Sequence, residues 1–185
     1  MTADIAILRL DTLDAPEHLQ QLSEVLVDCV EGGASVNFMA GFSMARARAF
    51  WQQVAQQVQL GERALLVARD GAGRIVGTVQ LALSQPDNQP HRADVNKLLV
   101  HRSARQQGVG EALMRAVEDL ARAQGKTLLV LDTASDAAER LYLRTGWQLS
   151  GRIPGYALMP DGAPTATTIL YKNLMPGETL SAPAP

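Results

Sequence analysis

The sequence predicts a mixed α+β domain, and three observations carry that reading. The first half holds two helical patterns and then a strand meander, while strand-then-helix order appears only in the second half. The 185 residues suit one hydrophobic core. The 46% hydrophobic and 19% charged content is that of a soluble globular chain, with no internal repeat or interdomain linker.

The elements follow in order. Ile5 to Leu10 reads as a strand. Asp14 to Val30 reads as a helix with Pro16 in its first turn and Leu19, Leu22, Leu26, Cys29 and Val30 inward. Glu31 to Gly41 is a loop broken by Gly32-Gly33. Ser43 caps a second helix whose apolar side is Phe50, Trp51, Val54 and Val58. Ala64 to Ala68 and Ile75 to Leu83 form a hairpin around Asp70-Gly71-Ala72-Gly73. Gln85 to Arg92 is a polar loop. A strand at Asp94 to Val100 comes next, then a turn and a helix. Thr127 to Asp132 is so apolar that it predicts a strand buried on both faces. Asp136 to Thr145 is a short helix. Trp147 to Ile153 and Thr167 to Leu174 pair around Pro160-Asp161-Gly162. Residues 1–174 are read as one domain. Residues 175–185, small, polar and Pro-rich, are read as a flexible tail.

The chain is organised around Asp94 to Gly125. An apolar strand leads through HRSA to the turn RQQGVG and then to a long amphipathic helix. Val109, Ala112, Leu113, Ala116, Val117 and Leu120 make its apolar face, and Gly125 stops it. Glu111 with Arg115 and Glu118 with Arg122 stand four apart, as wet-side pairs. A helix N-terminus presents unpaired N–H groups and the positive end of the helix dipole, which suits a phosphate or pyrophosphate. Gly108 and Gly110 there permit close approach.

VNKLLVHRSARQQGVGEALMRAVEDLA resembles the acetyl-CoA-binding motif of the GNAT superfamily of N-acetyltransferases. LVLDTASDAAERLYLRTGW is similar to that superfamily's second motif, in which a helix carries a Tyr before Gly-aromatic. EGGASVNFM, RADVNKLLV, LDT and PGYALMPDG together resemble the tabtoxin-resistance acetyltransferases, and the likeness runs to about Leu174. The resemblance implies the acyl-CoA N-acyltransferase fold: a mostly antiparallel sheet, flanked by helices, with one splayed parallel strand pair that admits acetyl-CoA. It implies pyrophosphate contacts from the backbone of Arg105, Gln106, Gln107, Gly108, Val109 and Gly110. It implies that a bulged strand offers backbone groups of Leu98, Leu99 and Val100 to the acetyl and pantetheine end. Opened ladders free such groups, and an N–H of Leu99 or Val100 would polarise the acetyl carbonyl.

Acetyl transfer to an amine also needs a neutral amine and a proton for the leaving thiolate. Tyr142 matches the superfamily's tyrosine near the cofactor sulfur, on the inner stripe of its helix with Ala138, Leu141 and Thr145. Ser135 stands where many members carry Asn against the cofactor, and it also suits a helix cap. An alkylammonium with pKa near 10.4 is neutral about one time in a thousand at pH 7, so a base is required. Asp94 and Asp132 are the candidates. Asp94 starts the splayed strand, on one side with Asn96 and Leu98 by alternation. Asp132 closes an apolar strand, where burial would raise its pKa toward a working base. The tabtoxin-resistance likeness favours Asp132 with Tyr142. Ser35, Asn37, Tyr156 and Asp161 are candidate acceptor contacts, in loops at Glu31–Met39 and Gly155–Met159 that resemble the superfamily's substrate walls.

The expected reaction is direct transfer from acetyl-CoA, in a ternary complex, to the amine (or hydroxyl) of a small amino-acid-like or toxin/antibiotic molecule. Three rivals stand beside it. One is a non-catalytic acyl-CoA sensor, and another is acetylation of a protein N-terminus or lysine. A Rossmann-type domain is disfavoured: Leu113 occupies its third glycine position and seven residues part Val100 from Gly108. A P-loop is excluded because no Gly-Lys-Ser/Thr occurs. The net charge of -2 gives no reason to expect nucleic acid or an anionic membrane. No apolar run approaches a membrane span. Cys29 alone forms no internal disulfide and reads as buried core in a reducing, cytoplasmic setting. His18, His91 and His101 lack metal-ligand spacing, so no metal is expected. The protein is expected to be a monomer or a homodimer.

Overall fold

The computed structural model describes residues 5–175, in which one seven-stranded sheet gathers the chain. Strands β1 (Ala6–Leu10), β2 (Arg63–Arg69), β3 (Ile75–Ala82), β4 (Arg92–Val100), β5 (Leu128–Thr133), β6 (Gln148–Leu158) and β7 (Pro164–Asn173) stand in the order β1-β2-β3-β4-β5-β7-β6. Every neighbouring pair is antiparallel except β4 with β5, so the mixed α+β expectation is met. The tail expected at 175–185 lies, beyond Met175, outside the described residues.

Helices α1 (Pro16–Glu31) and α2 (Met44–Gln59) cover one face. Leu22, Leu26 and Trp51 pack there against Leu65, Val67 and Leu99. Helices α3 (Val109–Ala123) and α4 (Asp136–Arg144) lie on the other face. Val109, Leu113, Val117 and Tyr142 pack there against Leu66, Val79, Val95 and Leu131. Pro16 stands in the first turn of α1, and the Ser43 side chain accepts from the Arg46 N–H at the head of α2. Gly125, at φ +71°, follows the end of α3.

Three expectations are corrected. Strand β5 is buried on one face only: Leu129 and Leu131 are inside, while Asp132 is exposed, because β4 has already turned away beside it. The buried stripe of α3 is turned toward Met114, Glu118 and Ala121. Glu118 therefore does not pair with Arg122. It sits inside with Lys172 Nζ at 2.6 Å and the Trp147 indole N–H at 2.9 Å, and Arg122 reaches Asp119 instead. Glu111 and Arg115 do pair. Finally, Gly155 to Leu158 belongs to β6 and not to a loop, since that stretch reaches β7 through Ala157↔Thr165 and Leu158↔Pro164.

Candidate active site

The parallel pair is short. Strands β4 and β5 meet at Arg92↔Leu128, Ala93↔Leu129 and Asp94↔Val130, and share no ladder beyond that point. Strand β4 runs six residues further, to Val100, and β5 runs on through Asp132 to Thr133. The cause of the parting lies in β4. Against β3 its register slips by one residue between Gln80↔Asn96 and Thr78↔Leu99, and Lys97 takes a left-handed φ of +51°. This is a β-bulge, which bends its strand and raises the twist. It also breaks simple alternation. Val95 and Leu98 both serve the core on the α3 side, and Leu99 enters the core on the α1 and α2 side. Leu98 thus does not share a face with Asp94, as alternation had suggested.

The turn into α3 starts from the same strand. A 3₁₀ turn at Arg102–Ala104 is tied to α1, where Asp28 accepts from the Arg102 backbone N–H and from its Nε, each at 2.8 Å. Gln106 (φ +61°) and Gly108 (φ +80°) are both left-handed, with Gln107 at negative φ between them. Such alternation aims successive N–H groups into a concavity fit for an anion. The N–H groups of Val109, Gly110 and Glu111, in the first turn of α3, have no intrahelical acceptor. Gly110 has a packing reason as well: a Cβ there would meet Leu141 Cδ2 at 3.3 Å.

Several candidate side chains are already engaged. Arg105 N–H points to Arg102 O at 3.3 Å, which removes it from the free set expected for a pyrophosphate. The Arg105 guanidinium turns inward, with Nε donating to Val100 O at 3.1 Å. That carbonyl also takes the Cys29 thiol at 3.5 Å, so it is not open to a cofactor. Burial pushes the Cys29 thiol up, as befits a core residue. Gln107 Nε2 donates to Ser103 O. The Ser135 hydroxyl accepts from Ala138 N–H and caps α4.

Of the two candidate bases, Asp94 lies where the strands are still joined, closed in an ion pair with Arg92 and accepting from Gln85 Nε2 at 3.1 Å. Asp132 lies past the parting point. It accepts from Thr167 Oγ1 at 2.9 Å and is solvent-exposed, so the burial expected to activate it is absent. Tyr142 is buried, with its ring 5.9 Å from that of Trp147 and its hydroxyl in no hydrogen bond with the described residues. Burial, and secondarily the Asp132 charge, hold its phenol far above the usual range. The same charge reaches Lys97. Burial pushes the Lys97 ammonium down, Asp132 opposes that, and Arg63 adds to it. Nothing local in the sequence marks Thr167, and a lone cation in the apolar run VNKLLV is the one signal for Lys97.

The Glu31–Met39 loop and the end of β6, the two stretches predicted as acceptor walls, lie against each other. Ala40 N–H donates to Pro160 O at 2.9 Å, and Ser35 Oγ donates to Leu158 O at 3.2 Å. A cavity of about 390 Å³ opens between them, lined by Val30, Gly33, Met159 and Asp161 among others. Asp161 also accepts from Ala163 N–H within the turn. Asn37, at φ +73°, and Tyr156 are exposed. Among the described residues no cluster of three or more His, Cys, Asp or Glu is arranged to hold a metal.

Residues 34–147 match the model of the acetyltransferase (GNAT) family. An uncharacterised N-acetyltransferase from the hisH–hisA intergenic region of Azospirillum brasilense is 33% identical over 70% of this chain and 75% of its own length. The L-methionine sulfoximine/L-methionine sulfone acetyltransferase of Pseudomonas aeruginosa is 30% identical over 64% of this chain and 69% of its own. Among solved structures, an N-acetyltransferase from Staphylococcus aureus superposes with TM-score 0.76 at 16% identity, covering 93% and 99% of the two chains. The structure of yncA from Salmonella typhimurium with its cofactor acetyl-CoA gives 0.75 at 19%, covering 96% and 98%.

Proposed function

Since this chain belongs to the acetyltransferase (GNAT) family, we propose that it moves an acetyl group from acetyl-CoA to the amine of a small amino-acid-like molecule, by direct transfer. The observation that carries the reading is the parting of β4 from β5 beyond Asp94↔Val130, with Asp132 beside it and Tyr142 beneath. Acetyl-CoA supplies the activated acetyl thioester when bound. The first-turn N–H groups of α3 and the turn at Gln106–Gly108 hold its diphosphate, and the edge of β4 freed by the Lys97 bulge borders its arm.

Asp132 takes a proton from the acceptor ammonium and leaves a nitrogen lone pair to attack. It is preferred to Asp94, whose carboxylate is already closed on Arg92 and Gln85. Thr167 holds the Asp132 carboxylate in place by donating to Oδ2. Tyr142 keeps its proton until the C–S bond breaks, then donates it to the departing sulfur. The second proton, which the nitrogen sheds on becoming an amide, returns to Tyr142 through water, and Asp132 releases its own to solvent. Residues 1–174 act as one catalytic domain.

The amino-acid-like acceptor, and the nearness to tabtoxin-resistance enzymes, draw support from the Pseudomonas aeruginosa relative, named for methionine sulfoximine and methionine sulfone. A thiol-release assay with acetyl-CoA tests the reading, using a panel of free amino acids, simple amines and short peptides. Turnover concentrated on small amino acids is expected. Acetyl-CoA that binds but is never turned over would make the chain a sensor, and turnover confined to peptides would move the acceptor to protein amines.

A further inference from the structure

A zwitterionic acceptor needs a cation as well as a base, and the site has one without a partner. Lys97 stands at the bulge, partly buried, and belongs to none of the ion pairs or hydrogen bonds among the described residues. The charge of Asp132, from the neighbouring strand, reaches it across the opening, yet the two are not in ion-pair contact. Beside Lys97 on the same strand is Asn96, whose partner on β3 is Gln80. Gln80 is fully buried, and its Oε1 accepts from Arg63 Nη1 at 2.6 Å. That bond fixes the amide so that Nε2 is the free end, and Nε2 has no hydrogen-bond partner. Arg63 is itself held by Gln57 Oε1 at 2.8 Å. Two cations and an orphan amide donor therefore lie near one another; Asp132 acts on Lys97 and Glu62 on Arg63, but neither carboxylate closes an ion pair with its cation. A partly buried ammonium that closes no ion pair is costly to hold unless something binds it directly.

We infer that Lys97 binds the carboxylate of the acceptor while Asp132 faces its ammonium, so that the site selects α-amino acids over amines lacking the acid group. This rests on the acetyltransferase reading and adds the acid group to it. Arg63 and Gln80 keep the floor beneath Lys97 electropositive. The acceptor's own carboxylate supplies the ion-pair contact that no protein carboxylate makes with Lys97.

The test compares matched acceptors that differ only at the acid: an amino acid, its primary amide, and the amine without the carboxyl group. The wild-type enzyme should prefer the acid by at least tenfold in kcat/KM. Lys97→Met should cut that preference 10- to 100-fold, chiefly through KM of the acid, with acetyl-CoA binding as the measure that the variant is folded. Equal use of acid and amide by the wild type would overturn the inference and leave the acetyltransferase reading intact. So would a Lys97→Met variant that binds acetyl-CoA and keeps the preference. Failure of every amine tested would instead remove the acetyltransferase reading, and this inference with it.

Discussion

Asp132 and Thr167 are joined side chain to side chain, Oγ1 to Oδ2 at 2.9 Å, across the β5–β7 ladder where β5 has lost its other neighbour. The bond fixes one carboxylate oxygen and leaves the second for a proton. Thr167→Val keeps the shape and removes the donor, so kcat should fall about 5- to 30-fold from lost orientation. Asp132→Asn removes the base. Its loss should be largest near pH 7 and smaller toward pH 10, where the acceptor amine is already neutral. Rate profiles between those limits decide the matter: a loss that does not vary with pH makes Asp132 structural.

Tyr142→Phe should lower kcat by about 10- to 1000-fold, or about 1.4–4 kcal/mol in the barrier, with acetyl-CoA affinity little changed. The phenol also makes a prediction about stability. The folded chain holds this proton far more tightly than the unfolded chain does. The stabilisation is therefore complete below about pH 10 and is lost as pH rises beyond it. Urea midpoints at pH 9 and pH 11 should fall further for wild type than for Tyr142→Phe.

Much of this arrangement was readable from residue order because its signals are local. The glycines at the head of α3, the Ser caps at Ser43 and Ser135, and the inward Tyr142 each follow from neighbours within one helical turn. What escaped was long-range. Thr167 meets Asp132 across 35 residues, and Lys172 meets Glu118 across 54, so no periodicity announces either. In residue order alone Glu118, an acid four residues before Arg122, looks like half of a solvated pair, while its true partners come from β7 and from Trp147. The left-handed conformation of Lys97 is equally silent in sequence, since Lys carries no marker for positive φ.

The two glycines of the turn should fail differently. Gly108 has open space around a Cβ but a φ of +80°, so Gly108→Ala costs about 1–2 kcal/mol of backbone strain and should raise KM for acetyl-CoA. Gly110 has a permissible backbone, but its Cβ would press on Leu141, one residue from Tyr142. Gly110→Ala should therefore disturb kcat through α4 as well as KM. Steady-state constants for the two variants separate these effects, and identical profiles would refute the assignment.

Lys97→Met should stabilise the fold while weakening the enzyme. Burial lowers the Lys97 pKa, so in that range the unfolded chain binds more protons than the folded one, and wild-type stability rises with pH. Replacing the ammonium removes this burden. The urea midpoint of Lys97→Met should exceed that of wild type at pH 7, with the difference shrinking toward pH 10. A midpoint that drops would mean the ammonium has a structural partner.

The reverse case is Glu118, whose carboxylate answers both Lys172 and the Trp147 indole in the core between α3 and β7. Lys172 also donates to Thr145 O at 2.6 Å, so this ammonium ties β7 to the end of α4, three residues after Tyr142. Removing one member of a buried pair strands the other charge. Glu118→Ala should therefore cost about 3–5 kcal/mol, read as a lower urea midpoint at unchanged m-value. The double variant Glu118→Leu with Lys172→Met removes both charges and should recover most of that loss, because the Coulomb attraction of a buried pair does little more than offset its desolvation. Recovery of stability without recovery of kcat would show that the pair is retained to position α4 beneath the parted strands. Recovery of both would reduce it to packing.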